Sequence, residues 1–165
     1  MIDSDRLGVH RAPAPSGGQL QRPSGRPDSE ALAVVQRTAS VVADRPVALA
    51  EAFYQHLFQL APGVRSMFPA DMTAQNDKLC RALFQCVRAL SSNDREATDM
   101  EIALRRLGAQ HANRYAVLPE HYPYVGHALA RAVRDLSQDW STTCTSSWIW
   151  IYTWMSEHML AGSER

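Results

Sequence analysis

The sequence predicts an all-α domain. From Ser29 onward, apolar residues recur at three- and four-residue steps, and no stretch alternates with period two long enough to make a strand. The breaks between periodic runs carry Pro, Gly or clustered polar residues, which is the punctuation of helices joined by short turns. At 165 residues, 45% hydrophobic and 21% charged, the chain has the material for one domain with a core. Its formal net charge is zero, with Lys and Arg scattered among acids, so neither nucleic acid nor an anionic membrane is expected as a partner.

Residues 1–28 contain four of the nine prolines, four of the eight glycines and no aromatic residue. Such a segment buries too little apolar area to offset its ordering entropy, and it is read as a disordered tail ahead of a domain spanning 29–162. The first helix is expected over Ser29 to Ala43, with Leu32, Val35, Ala39 and Val42 on one stripe and Ser29 as its cap. Asp44-Arg45 breaks it, and Pro46 suits the first turn of the second helix, "PVALAEAFYQHLFQLA". That helix carries Leu49, Phe53, Leu57 and Leu60 on one stripe, with Ala50, Tyr54 and Phe58 beside it, and ends at Pro62-Gly63.

A short helical turn, "GVRSMF", is closed by Pro69, and "PADMTAQND" reads as a linker. The next helix groups Leu79, Leu83, Cys86, Val87 and Leu90, and "SSNDREATD" interrupts it. A helix from Thr98 to His111 then places Met100, Leu104, Leu107 and His111 on one face, so that it points a histidine inward. Pro119 starts a helix carrying Tyr122, Val125, Leu129, Val133 and Leu136, and the last helix runs from Thr145 to Leu160. Some seven helices of very unequal length result, which is not the layout of a symmetric four-helix bundle.

Cys80, Cys86 and Cys144 form an odd set without CxxC spacing, and no leader pattern precedes them, which fits a reducing cytoplasm. The longest apolar run, "WIWIYTWM", is far short of the roughly 20 residues that span a bilayer. In the last helix Trp150 and Trp154 lie on a different side from Trp148, Tyr152 and Met155. A helix apolar on both sides is either deeply buried or paired with another subunit, and a homodimer through this helix is expected. His56 points about 200° away from Tyr54 around its helix and reads as a surface or inter-helix residue; His121 and His127 read as solvent-facing.

An inward histidine ending one helix, followed by "YAVLPEHYPYVG" opening another, resembles the bacterial globins of the flavohaemoglobin and single-domain haemoglobin family. "AFYQHLFQLAPGVRSMF" at Ala52 to Phe68 and the W-x-x-x-Y of Trp148 to Tyr152 belong to the same resemblance, which extends from about Ser29 to Leu160. It implies a globin fold around haem b, iron protoporphyrin IX, with His111 as the proximal ligand to iron; a neutral imidazole on an apolar face suits that role. It implies that Tyr54 reaches over the distal side to donate to dioxygen, that Phe68 wedges the haem, and that Tyr122 supports the proximal histidine. Leu83, Leu107, Val117 and Val125 are then core residues that also line the haem.

This sequence departs from the family pattern in several places. The segment from His111 to Tyr122 is one residue longer than usual, which puts the hydroxyl of Tyr122 in doubt. Where the family places a late glutamate behind the proximal histidine, the register here gives Arg165, with Glu157 and Glu164 nearby but out of register. The distal glutamine position falls on Leu79 when the chain is aligned on "RALF", with Gln75, one turn earlier on the same face, as a polar rival. The register favours Leu79 and hence an apolar distal wall. No G-x-G-x-x-G stretch is present, so electrons are expected from a separate reductase.

The function this implies is reversible binding of dioxygen, and of other diatomic gases such as nitric oxide or carbon monoxide, for storage, delivery or transport. The alternatives are a nitric oxide dioxygenase served by that reductase, and a gas-sensing or globin-like interaction domain.

Overall fold

The computed structural model describes residues 25–164, and among these all regular structure is helical. Six α-helices follow in order: α1 (Ser29–Ala43), α2 (Pro46–Leu60), α3 (Thr73–Leu90), α4 (Asp94–Tyr115), α5 (Tyr122–Leu136) and α6 (Thr142–Ser163). Two 3-10 turns, Pro62–Met67 and Pro119–His121, follow α2 and precede α5. The all-α expectation holds element by element, and the differences lie at the ends of helices.

Those ends are set by polar side chains that apolar periodicity does not register. Asp28, not Ser29, caps α1, its carboxylate accepting from the Ala31 N–H at 2.8 Å. The tail expectation falls mainly on residues 1–24, which lie outside the described residues. Beside the cap, Arg26 reaches Glu101 at 2.8 Å and Thr98 at 3.0 Å on α4. The expected linker before α3 is partly helix: Asp71 accepts from the Thr73 N–H at 3.0 Å, and α3 begins there. In α4, Asn93 caps by accepting from the Glu96 N–H at 2.9 Å, so the helix starts four residues before the expected Thr98. Ser141 does the same for α6.

The core is organised by two crossings, α4 on α6 and α2 on α5, with α1 lying on α6 and α3 against α2. At the first crossing the backbones touch. A Cβ on Gly108 would run into the Met159 carbonyl, and one on Gly162 into that of Arg105. Trp148 is fully buried, and its indole N–H donates to the buried Thr38 hydroxyl at 2.8 Å, joining α6 to α1. The packing of Tyr152 against Gly126 joins α6 to α5.

This packing corrects the homodimer expectation. Both sides of α6 are apolar because the helix is sunk in its own chain: Trp154 is 1% exposed, and the Trp150 indole donates to the Gly25 carbonyl at 3.2 Å. Ile149, Trp150 and Leu160 are half-buried, and the other large apolar side chains of α6 are packed inside the chain. No helix of the described residues is long and apolar enough to cross a membrane.

Candidate functional site

One cavity of about 250 Å³ opens between α2 and α3 on one side and α4 and α5 on the other. Its walls are mainly aliphatic and aromatic. The polar groups that reach it come from Tyr54, Gln75, His111, Tyr115, His121 and Tyr122, and among the described residues no carboxylate lines it. It is therefore an apolar chamber with a few convergent polar groups, among them two half-buried imidazoles.

Helix α2 supplies Tyr54, which is 6% exposed and held in an aromatic cluster. Phe53 meets it edge-on at 4.8 Å between centroids, Phe58 stacks at 5.7 Å and Phe68 meets it edge-on at 5.4 Å. Burial pushes the Tyr54 hydroxyl up to about 12, and the polar Gln75 side chain draws it partly back. At neutral pH the phenol is therefore a protonated donor. Phe68 is where the sequence puts it, at the end of the 3-10 turn, lining the cavity and packed on Tyr54 and Phe58.

Leu79 and Gln75 both line the cavity, one turn apart on α3. The register argument favoured Leu79 with Gln75 as its polar rival, and both reach the cavity, with Gln75 the side chain that acts on the Tyr54 hydroxyl. The distal wall is thus not purely apolar. Helix α3 starts at Thr73, which carries Gln75 on the same face as Leu79 instead of leaving it in a linker.

From the opposite side α4 presents His111, half-buried, whose imidazole burial pulls below the usual histidine range. It is a neutral ring with a lone pair to offer. Val117, Tyr122 and Val125 line the same space. Tyr122 is buried, and burial raises its hydroxyl, yet it makes no hydrogen bond to His111. Arg165, the residue at the family's late glutamate register, lies outside the described residues. Leu83 and Leu107 are the two expected lining residues that the cavity leaves out. Leu83 is 3% exposed and one turn deeper than Leu79, and Leu107 packs against the core a turn before His111. Both are core residues at the level where the helices have closed together.

Sequence reasoning missed His121 and Tyr115. His121 is not solvent-facing: it is half-buried in the cavity wall, and its Nδ1 accepts the Leu118 backbone N–H at 3.1 Å. The neutral ring must then carry its proton on Nε2, as a donor. The 3-10 turn at Pro119–His121 folds this ring back over the loop, which helical periodicity does not register. His127 is exposed, as expected. His56 is an inter-helix residue, its Nε2 paired with Asp135 of α5.

The residues present suit a haem. A flat macrocycle needs an apolar slot between two helix pairs, a neutral imidazole on one face and room for a small ligand beside a donor on the other, and these are what the cavity offers. His111 meets the ligand requirement on its own observation: it is desolvated, neutral, and without a hydrogen-bond partner among the described residues.

The globin family model matches residues 51–159. The flavohemoprotein of Rhizobium meliloti (strain 1021) is 28% identical over 132 residues, 79% of this chain and 32% of that protein. The flavohemoprotein of Vibrio cholerae is 28% identical over 111 residues, 67% of this chain and 27% of that protein. The chain thus spans about a third or less of the length of these relatives. Among solved structures, a bacterial globin from Campylobacter jejuni aligns with a TM-score of 0.70 at 19% identity, over 83% of this chain and 96% of that one. The deoxy haemoglobin of Mustelus griseus aligns with a TM-score of 0.69 at 17% identity, over 83% and 99%.

Proposed function

Since the chain belongs to the globin family, we propose that it binds haem b and, through it, dioxygen and other diatomic gases reversibly. The observation that carries this reading is His111, a neutral, half-buried imidazole sharing one apolar cavity with the Tyr54 and Gln75 pair. When bound, the haem supplies an iron at which a diatomic gas is held. His111 supplies the proximal lone pair. Tyr54, fixed by Phe53, Phe58 and Phe68, would offer its hydroxyl to the partly negative end of a bound dioxygen, and Gln75 beside it would offer a second N–H. The apolar walls exclude the water that would otherwise compete for the same donors.

A nitric oxide dioxygenase, working with a separate reductase, is the second reading, and Gln75 favours it. A distal wall of leucine alone would argue against efficient turnover, whereas the Tyr54–Gln75 pair supplies polar distal groups, and the curated relatives above are flavohemoproteins.

The test is an absorption spectrum of protein purified with haem supplementation, with His111→Ala beside it. A Soret band in the parent and loss of tight haem binding in the variant are expected. Absence of the band in the parent removes both readings. If the band is present, nitrate yield per nitric oxide added over repeated cycles with a reductase separates binding from dioxygenation.

A further inference from the structure

Helix α4 does not stop at His111; it runs one further turn to Tyr115 and ends where Ala116 takes a left-handed conformation, φ 53°. Ala116 is the only non-glycine residue at positive φ among the described residues, and alanine enters that region at a cost. The stop does two things. It ties the His111 carbonyl to the Val117 N–H at 3.0 Å, and it keeps Tyr115 helical, four residues on from His111 and on the same face. The Tyr115 ring accordingly meets the His111 imidazole edge to face, with centroids 6.3 Å apart and planes at 72°. The Arg114 guanidinium lies 5.8 Å from the centroid of the same tyrosine ring.

A ligating histidine ordinarily has its orientation fixed by a carboxylate or carbonyl that accepts its second ring N–H. Here that device is missing among the described residues: Tyr122 makes no hydrogen bond to His111, no carboxylate lines the cavity, and Tyr115 is the one group engaging the imidazole. The segment that is one residue longer than the family's usual spacing thus begins with the last helical turn to Tyr115 and the left-handed stop at Ala116. We propose that Tyr115 is the positioning residue of the proximal imidazole, holding the rotation of the His111 ring by aromatic packing, with Ala116 as the stop that places it.

The inference rests on the reading of His111 as the haem ligand, and it predicts a proximal bond set by ring packing, with little added basicity from a hydrogen-bonded anion. Tyr115 contributes its ring and not its hydroxyl, so phenylalanine should substitute and alanine should not.

The experiment measures the iron–histidine stretching band of the ferrous haem-loaded protein by resonance Raman, and the rate of haem transfer to an apo-myoglobin acceptor. Parent, Tyr115→Phe, Tyr115→Ala, Ala116→Val and Tyr122→Phe are compared. Tyr115→Ala should broaden or shift the band and speed haem loss about three- to tenfold, the range one aromatic pair supports. Tyr115→Phe and Tyr122→Phe should match the parent. Ala116→Val, whose β-branched side chain rejects the left-handed region, should resemble Tyr115→Ala. Circular dichroism of each variant verifies that the helical fold is kept.

A Tyr115→Ala protein with the parent's band and haem-loss rate would overturn the inference while leaving haem binding intact, and so would a Tyr115→Phe protein that behaves like Tyr115→Ala. A His111→Ala protein that keeps the parent's haem affinity would overturn the functional reading itself, and this inference with it.

Discussion

Replacing Gly108 by alanine should destabilise the protein, although alanine is the better helix former. Gly108 lies where α4 crosses α6, and an added Cβ would lie 2.5 Å from the Met159 Cα and closer still to its carbonyl, against an ordinary contact of 3.4–4 Å. Backbone cannot rotate aside as a side chain can, so the two helices must part by about 1 Å, the kind of overpacking that costs up to about 3 kcal/mol or more. Helix propensity returns about 1 kcal/mol for Gly to Ala in a helix interior. The net loss is then about 2 kcal/mol or more, a fall in Tm of about 4–8 °C for a chain of this size. Gly162→Ala, on the facing helix against Arg105, should behave alike. Both sites are relieved by the same separation, so the double variant should lose less than the sum of the two.

Urea titration of the apoprotein with an unchanged m value is the assay. Either single variant proving as stable as the parent, or more so, would refute the close crossing, because propensity alone predicts a gain. The consequence reaches the site, since Gly108 precedes His111 by one turn and Met159 lines the cavity.

Tyr54→Phe should retain haem, because the ring packing with Phe53, Phe58 and Phe68 survives, and should speed dioxygen release about tenfold, the worth of one hydrogen bond of about 1.4 kcal/mol. Gln75→Leu should speed it less, and flash-photolysis rates for the double variant should fall short of the product of the singles, since Gln75 acts on the Tyr54 hydroxyl. Unchanged release in Tyr54→Phe would refute its role as the main donor. Stability of the apoprotein should decline on acidification. Burial holds His111 and His158 below the usual histidine range, with Glu101 and Glu157 raising His158 and Arg105 and Arg26 lowering it. The unfolded chain therefore takes up protons first, so stability present above about pH 6.5 is lost as pH falls toward the folded values. Denaturant titrations at stepped pH should show a shallower decline in His158→Gln, and a profile identical to the parent's would refute the assignment.

How much of the site was legible follows from which signals are local. His111 and Tyr54 were readable because each sits on a helix whose apolar period fixes its facing, and because the run around them matches a family pattern. Gln75 was left as a rival to Leu79 because the start of α3, which fixes the register of both, is decided by Asp71 and the Thr73 N–H, a polar contact with no apolar signature. His121 was misjudged because a 3-10 turn, not a helix face, aims it.

By itself the sequence determined that the chain is helical, which residues form its core stripes, and that His111 lies on an apolar helix face, because periodicity and helix-breaking residues act within a few positions of one another; it did not register the buried His158. The tertiary structure decided what covers those stripes. The apolar back of α6 read as a dimer face, and in the fold the α4–α6 crossing, allowed by Gly108 and Gly162, goes with burial of Trp154 inside its own chain. It also decided that Gln75 meets Tyr54 and that Tyr115 meets His111. The first joins two helices by packing, and the second depends on one left-handed residue, Ala116, whose conformation alanine does not announce.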